Sequence, residues 1–296
     1  MNIFVTGASG WIGSAVVTEL LAHDHRVVGL ARSDASARAL SERGADVQRG
    51  DLDDLESLRA GATGADAVVH LANKHDWAHP ERSNQAERAA VQTFGDALAG
   101  SDRPLLVASG AAGLTPGVPA TEADASPFHG PDSMRGGAEN LALSFAERGV
   151  RPVAVRFAPT VHGTDDHGFV AAIVAAARER GVSGHVGQGV NRWAAVHRDD
   201  AARLVRLVLE APTPPTVVHA VAEEGVATRD IADAIGTRLG LGTTSVDPDA
   251  AVDHFGFVGQ FFGYEMSASS TATRERLGWA LTGATLLDDI ADGAYG

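Results

Sequence analysis

The segment Thr6-Gly7-Ala8-Ser9-Gly10-Trp11-Ile12-Gly13 has the residue types and spacing of a phosphate-binding turn. It lies between an apolar run at residues 3–6 and a helical pattern that begins at Trp11, the context such a turn requires. Glycine at 7 permits the tight bend. Glycine at 10 lets the backbone approach a pyrophosphate with no Cβ in the way, and glycine at 13 lets the helix lie close to the strand. The open N–H groups and positive dipole end of that helix favour an anion. Thr6, Gly7, Ser9, Gly10, Trp11, Ile12 and Gly13 are candidate cofactor contacts.

A second position bears on which dinucleotide fits. The next β-rich run ends Gly29-Leu30-Ala31-Arg32-Ser33. An acid at such a strand end accepts from a ribose 2′-OH, whereas an arginine accommodates a 2′-phosphate. Arg32 can pair with phosphate and Ser33 can donate a further bond, so NADP(H) is the expected cofactor. Lys74, the only lysine, follows the fourth strand as a candidate phosphate or carbonyl contact. His75 and His79 stand four apart around Asp76, and His162 and His167 bracket Asp165 and Asp166. Neither cluster supplies a third ligand on a defined element, so no metal is expected. The chain has no cysteine, which excludes disulfides and thiolate chemistry.

These residues need a scaffold. Six near-continuous apolar runs, at 3–6, 26–30, 46–49, 67–71, 104–109 and 153–157, read as strands buried on both faces. Helical patterns at 11–22, 34–43, 54–60, 81–100 and 135–148 alternate with them. That alternation predicts an α/β fold, a Rossmann-type doubly wound parallel sheet over residues 1–160. Residues 161–296 change pattern and are expected to form mainly a small α/β substrate lobe, with some segments returning to the core. There, helices are expected at 168–180, 199–210 and 228–239 and a strand at 216–220. The tail aromatics Phe255, Phe257, Phe261, Phe262 and Tyr264 would wall an apolar pocket, fill a lobe core or form a dimer face.

Bulk properties narrow the partners. A net charge of −14 argues against nucleic acid, though not against a phosphorylated small ligand in a locally basic site. The longest apolar run, 169–177, is too short to span a bilayer, and Met1 leads directly into a strand without a targeting pattern. A cytoplasmic protein with a small-molecule substrate is the default reading, with a homodimer as a candidate assembly.

The Gly-x-x-Gly-x-x-Gly spacing after Thr6 resembles the extended short-chain dehydrogenase/reductase family. Further segments follow in the family's order along the whole chain: Arg49-Gly50-Asp51-Leu52, Val69-His70-Leu71-Ala72, Arg156-Phe157-Ala158-Pro159-Thr160-Val161-His162-Gly163, Trp193-Ala194-Ala195-Val196-His197-Arg198-Asp199-Asp200 and Leu277-Gly278-Trp279. The resemblance implies cofactor contacts at Asp51, Leu52, Leu71, Ala72 and Phe157. It puts Ala31 where the acid for NAD usually stands, and it implies substrate contacts at Arg192 and Trp193 beside Lys74 and His162, with the tail aromatic Tyr264 a further candidate.

One feature of the family is missing. Its Tyr-x-x-x-Lys pair donates a proton and holds the nicotinamide ribose, yet the only tyrosines here are Tyr264 and Tyr295. Aligning Glu139 and Arg156 with the family places Arg135 at the lysine position and Pro131 at the tyrosine position. Arg135 is then expected to hold the ribose hydroxyls. The family's serine falls at Gly110, with Ser109 one residue early. Ser109 and His162 are the remaining catalytic candidates, with His129 and Asp132 flanking the vacant tyrosine position. The reading that results is an NADPH-dependent reductase of a small apolar ketone, imine or related acceptor with a non-standard proton donor. A non-catalytic NADP-binding sensor is the alternative. A sugar-nucleotide epimerase or dehydratase stands third, because the missing pair weighs against it.

Overall fold

The computed structural model describes residues 1–76, 79–115 and 117–295. Its first half alternates strand and helix: β1 (Asn2–Thr6), α1 (Trp11–Ala22), β2 (Arg26–Ala31), α2 (Asp34–Glu42), β3 (Asp46–Arg49), α3 (Leu55–Thr63), β4 (Ala67–His70), α4 (Pro80–Leu98), β5 (Pro104–Gly110), α5 (Ala138–Ser144) and β6 (Arg151–Phe157). There follow β7 (Thr160–His162), α6 (Phe169–Arg180), β8 (Ser183–Val186), β9 (Arg192–His197), α7 (Arg198–Glu210), β10 (Val217–Ala220), β11 (Glu223–Ala227), α8 (Thr228–Leu239), β12 (Thr243–Val246), α9 (Ala251–Phe255), α10 (Thr271–Leu277) and α11 (Leu286–Asp292).

Seven strands form one sheet in the order β10-β6-β5-β4-β1-β2-β3, and every pairing in it is parallel. Strand order reverses between β1 and β4, which opens a crevice at their C-terminal ends. Side chains alternate across the sheet. Ile3 and Val5 join a layer containing Val16 and Leu20 of α1 with Leu204 and Val205 of α7, while Phe4 faces Leu58, Phe94 and Phe145 on the other side. Two-sided burial explains why the inner strands are apolar without a period of two, whereas β3, expected to be apolar and buried on both faces, is the edge strand Asp-Val-Gln-Arg and is exposed at both ends. The chain therefore returns to the core after residue 161 through α7 and β10. Arg206 of α7 bonds Glu19 of α1 at 2.7 Å across that seam.

The remaining residues build a lobe around β11-β9-β7 and a small β12-β8 pair. Trp193 is its fully buried centre, ringed by Phe169, Phe261 and Phe262 at centroid distances of 5.1–6.1 Å. Phe255 packs on Phe262 at 5.0 Å. Most of the tail aromatics are thus lobe core and not the walls of an apolar pocket: Phe255 and Phe262 are buried, Phe261 is half-buried against them, and Phe257 and Tyr264 are exposed. Among the described residues no helix is long and apolar enough to cross a membrane.

One expected helix starts late. The pattern at 135–148 predicts a helix from Arg135, but Arg135, Gly136 and Gly137 have φ of +53°, +61° and +62°, and α5 begins only at Ala138. The two consecutive glycines make this left-handed turn accessible. A Cβ on Gly136 would stand 2.4 Å from the Asn84 carbonyl oxygen, so α4 lies against the turn where only glycine fits.

Candidate active site

The glycine turn has the geometry its spacing suggests. Gly7 sits at φ +66°, and a Cβ there would lie 2.7 Å from the Ala72 nitrogen. A Cβ on Gly13 would lie 2.0 Å from the Gly7 carbonyl oxygen, and one on Gly10 3.1 Å from it. Gly10 caps α1 with no side-chain bond, so the first amides of the helix, at Trp11, Ile12 and Gly13, have no capping side chain. Ser9 and Gly10 are exposed at this mouth. Gly7 and Gly13 let the turn pack against β4 and α1 against the turn, and the uncapped α1 amides left at the exposed mouth suit a pyrophosphate. Thr6 has a different job from a ligand contact. It is fully buried, its hydroxyl lies 2.7 Å from His70 Nδ1, and it accepts the Ala72 N–H at 3.3 Å, fixing β4 beside β1.

On the β2 side, Arg32 is exposed and has no ion-pair or hydrogen-bond partner among the described residues, while Ala31 before it is buried. The Ser33 hydroxyl caps α2 by accepting the Ser36 amide at 3.1 Å. Asp51 accepts the amides of Asp53 and Asp54 at 2.8 and 3.1 Å, shaping the turn after β3, and Leu52 packs inward. Lys74 does not stand free for a substrate. Its Nζ lies 2.7 Å from both carboxylate oxygens of Asp53, which neutralise it at this side of the crevice.

On the β4–β5 side, buried charges form two networks. Ser109 Oγ donates to Glu139 Oε2 at 2.5 Å, and Glu139 accepts from Arg156 Nη2 at 2.6 Å and Nε at 3.1 Å. His219 Nδ1 donates to the Ser269 carbonyl at 2.7 Å, which leaves Nε2 to accept from Arg156 Nη1 at 3.3 Å. Burial pushes the His219 pKa down and keeps the ring neutral. The proton of Ser109 is therefore committed to a carboxylate that carries only acceptors, so Ser109 does not serve as a proton donor in this arrangement. Phe157, at the end of β6, is buried, and its carbonyl accepts the Ala111 amide.

The second network centres on Glu87 of α4. Its Oε1 accepts from Arg135 Nη2 and its Oε2 from Asn73 Nδ2. The Glu87 side chain is 0% exposed and that of Arg135 30% exposed. Burial pushes the Glu87 carboxyl upward, opposed by the Arg135 charge and by bonds from Arg135 and Asn73. Arg135 also acts on two imidazoles. His70 is pushed down to about 3, first by burial and then by that guanidinium, and His75 is lowered by the same causes and by His167. Glu87 escapes a motif search. Its one trace in the sequence is an acid on the apolar face of α4, among Ser83, Ala86, Ala90, Val91 and Phe94.

His162 departs most from expectation. It is fully buried, with Nδ1 2.6 Å from Asp289 of α11 and Nε2 3.8 Å from Glu223 of β11. Burial lowers its pKa against the pull of Asp289. A ring closed in by a helix and a strand neither lines a pocket nor meets a substrate. Trp193 is likewise excluded from substrate contact by full burial, its Nε1 donating to the Tyr264 carbonyl at 3.2 Å. Arg192 and Tyr264 are exposed on the lobe. The glycine turn is tied to the lobe by Trp11, whose Nε1 donates to the Val161 carbonyl at 2.7 Å. The Arg198 guanidinium lies 4.1 Å over the Trp11 ring, and His167 meets the ring edge-on at 5.5 Å.

Known proteins share this architecture. The chain is 42% identical to an uncharacterized protein of Schizosaccharomyces pombe over the full length of both chains. It is 43% identical to another of Saccharomyces cerevisiae over 98% of each. A 4-hydroxy-2-methyl-3-oxo-4-farnesyl-3,4-dihydroquinoline-1-oxide ketoreductase of Stigmatella aurantiaca is 30% identical over 192 residues, 61% of this chain and 56% of that one. Among solved structures, a dTDP-glucose 4,6-dehydratase from Streptomyces venezuelae, with NAD bound, superposes with a TM-score of 0.79 at 20% identity over 99% of this chain and 96% of that one. A UDP-glucose 4-epimerase from Thermotoga maritima gives 0.79 at 20% identity over 99% and 97%. The model of the NAD-dependent epimerase/dehydratase family matches residues 3–222, and this chain belongs to that family.

Proposed function

We propose that this protein is an NADP(H)-dependent reductase of a small ketone, imine or related acceptor. The observation that carries the cofactor choice is Arg32. A guanidinium without a partner among the described residues follows β2, next to a buried alanine where an acid would select a bare ribose. The cofactor, when bound, supplies the hydride. The chain's own groups bind and orient: the α1 amides face the pyrophosphate, Arg32 the 2′-phosphate, and Arg135 an oxygen acceptor at the far half of the crevice. A guanidinium does not release a proton at neutral pH, so Arg135 polarises or positions and the proton comes from elsewhere. Similarity to a ketoreductase supports reduction, and the missing tyrosine–lysine pair speaks against dehydratase or epimerase chemistry.

A second reading, an NADP-binding sensor without turnover, is favoured by the commitment of Ser109 to Glu139 and the enclosure of His162. Titration with NADPH and NADH, followed by an absorbance screen of NADPH oxidation against ketones, aldehydes and imines, separates the possibilities. Wild type is expected to prefer NADPH. Arg32→Ala is expected to weaken NADPH binding about 10- to 100-fold, the worth of a charge-assisted bond, and to leave NADH binding unchanged. Preference of wild type for NADH overturns the cofactor assignment. Tight NADPH binding with no turnover on any acceptor favours the sensor.

A further inference from the structure

Glu87 is a buried charge that the packing of α4 does not call for. Its neighbours on that helix face, Ala86, Ala90, Val91 and Phe94, belong to the apolar core. A carboxylate with 0% exposure is tolerated only with partners, and Glu87 has two, Arg135 and Asn73.

The backbone around Arg135 is also contorted. Three successive left-handed residues carry it, the first of them not glycine. Arg88 Nη1 donates to the Gly136 carbonyl at 2.8 Å and clamps the turn to α4. A strained turn and a buried acid thus converge on one guanidinium that is still 30% exposed. That guanidinium stands within electrostatic reach of His70, the last residue of β4. A dinucleotide whose 2′-phosphate end lies over β2 crosses the switch point toward β4, which brings its nicotinamide ribose to this side.

We propose that Glu87 is a positioning residue. It aims the Arg135 guanidinium at uncharged oxygen acceptors of the ligand at the nicotinamide end of the crevice, the distal ribose hydroxyls above all. The inference rests on the NADP(H) reading of the site. Its partners are set by the same geometry: Asn73 holds the second carboxylate oxygen and so fixes the plane of the carboxylate that Arg135 meets.

Binding of three probes, NADPH, 2′-phospho-ADP-ribose and 2′,5′-ADP, to wild type, Glu87→Gln and Glu87→Leu tests it by calorimetry without turnover. The first two carry the distal ribose and the third lacks it. The expected result is a loss of about tenfold or more for NADPH and 2′-phospho-ADP-ribose in both variants, with 2′,5′-ADP unchanged. Glu87→Leu leaves Arg135 and Asn73 without their acceptor and is expected to melt below the wild-type temperature, so the split between the probes carries the test. A purely structural glutamate would instead affect all three probes alike in both variants. Unchanged binding of all three overturns the role of Glu87 while leaving the cofactor assignment standing. If Glu87→Leu does not fold, Glu87→Gln alone decides by the same criterion. Failure of wild type to bind 2′,5′-ADP or NADPH takes down the cofactor reading and this inference together.

Discussion

The two halves of the crevice are made of different materials. Over β1 and β2 the site is backbone: three glycines, open helix amides and one exposed arginine. Over β4 and β5 it is side chains drawn from distant segments, Asn73, Glu87, Ser109, Arg135, Glu139 and Arg156, held by buried ion pairs. A backbone cradle accepts no added atom, since its obstacles are peptide groups that cannot rotate away. A side-chain cradle tolerates isosteric exchange while its polar partners remain satisfied. On the function proposed above, the first half holds the anion and the second meets the other end of the ligand.

Adding a single methyl is the most direct way to break that contrast. Gly13→Ala places a Cβ where the Gly7 carbonyl oxygen stands 2.0 Å away. Because the clash is with backbone, α1 must move off β1, and the amides move with it. Affinity for NADPH is expected to fall about 100-fold or more, with a lower melting temperature. Calorimetric titration alongside thermal unfolding checks both. A Gly13→Ala protein that binds like wild type would mean the cradle is not backbone-limited.

The same difference decides what was legible in the sequence. Gly7, Gly10 and Gly13 announce themselves because left-handed backbone and close approach leave no alternative residue. The strand at 3–6 and the helix at 11–22 follow from uninterrupted apolar patterning, and both form. Lys74 illustrates the other case. As the only lysine it looks available, yet Asp53, 21 residues away, claims it. His162 sits in a motif whose loop was expected to line a pocket, but α11, more than 120 residues on, closes over it. The tail aromatics could not be divided between core and pocket by spacing alone, because either surface is apolar. The helix expected from Arg135 failed for a local reason: a glycine pair can end a helix or permit a left-handed turn, and the close approach of α4 decided between them.

His70 joins the two halves, touching Thr6 on one side and feeling Arg135 on the other, and its ionisation offers a milder test. Its folded pKa of about 3 lies below the ordinary histidine value of 6.5, so the folded state binds fewer protons than the unfolded one between those values. Stability from this group is complete above about pH 6.5 and is lost as pH falls toward 3. At about 1.4 kcal/mol per unit, wild type is expected to lose about 2 kcal/mol between pH 6.5 and pH 5 from His70. His162 and His219, also lowered, act with the same sign, so the comparison must be differential. Urea melts of wild type and His70→Asn at pH 7.5, 6 and 5 should show a shallower pH slope in the variant. Parallel slopes would mean that His70 is not held neutral in the fold.

Trp11 gives the smallest expected effect and the sharpest view of how the halves are joined. It opens α1 within the backbone-built cradle, but its ring meets Val161, His167 and Arg198, which come from beyond β6. Trp11→Phe removes only the Nε1 bond to the Val161 carbonyl and keeps an aromatic face beneath Arg198. One partly buried neutral hydrogen bond is worth about 1 kcal/mol, and the carbonyl it leaves belongs to the half-buried Val161. Unfolding stability should therefore fall by about 1 kcal/mol, with NADPH affinity reduced about fivefold or less. If affinity instead falls as far as in Gly13→Ala with stability little changed, the cradle depends on the lobe for its shape. The division between a self-sufficient backbone half and a side-chain half would then be wrong at the residue where the two meet.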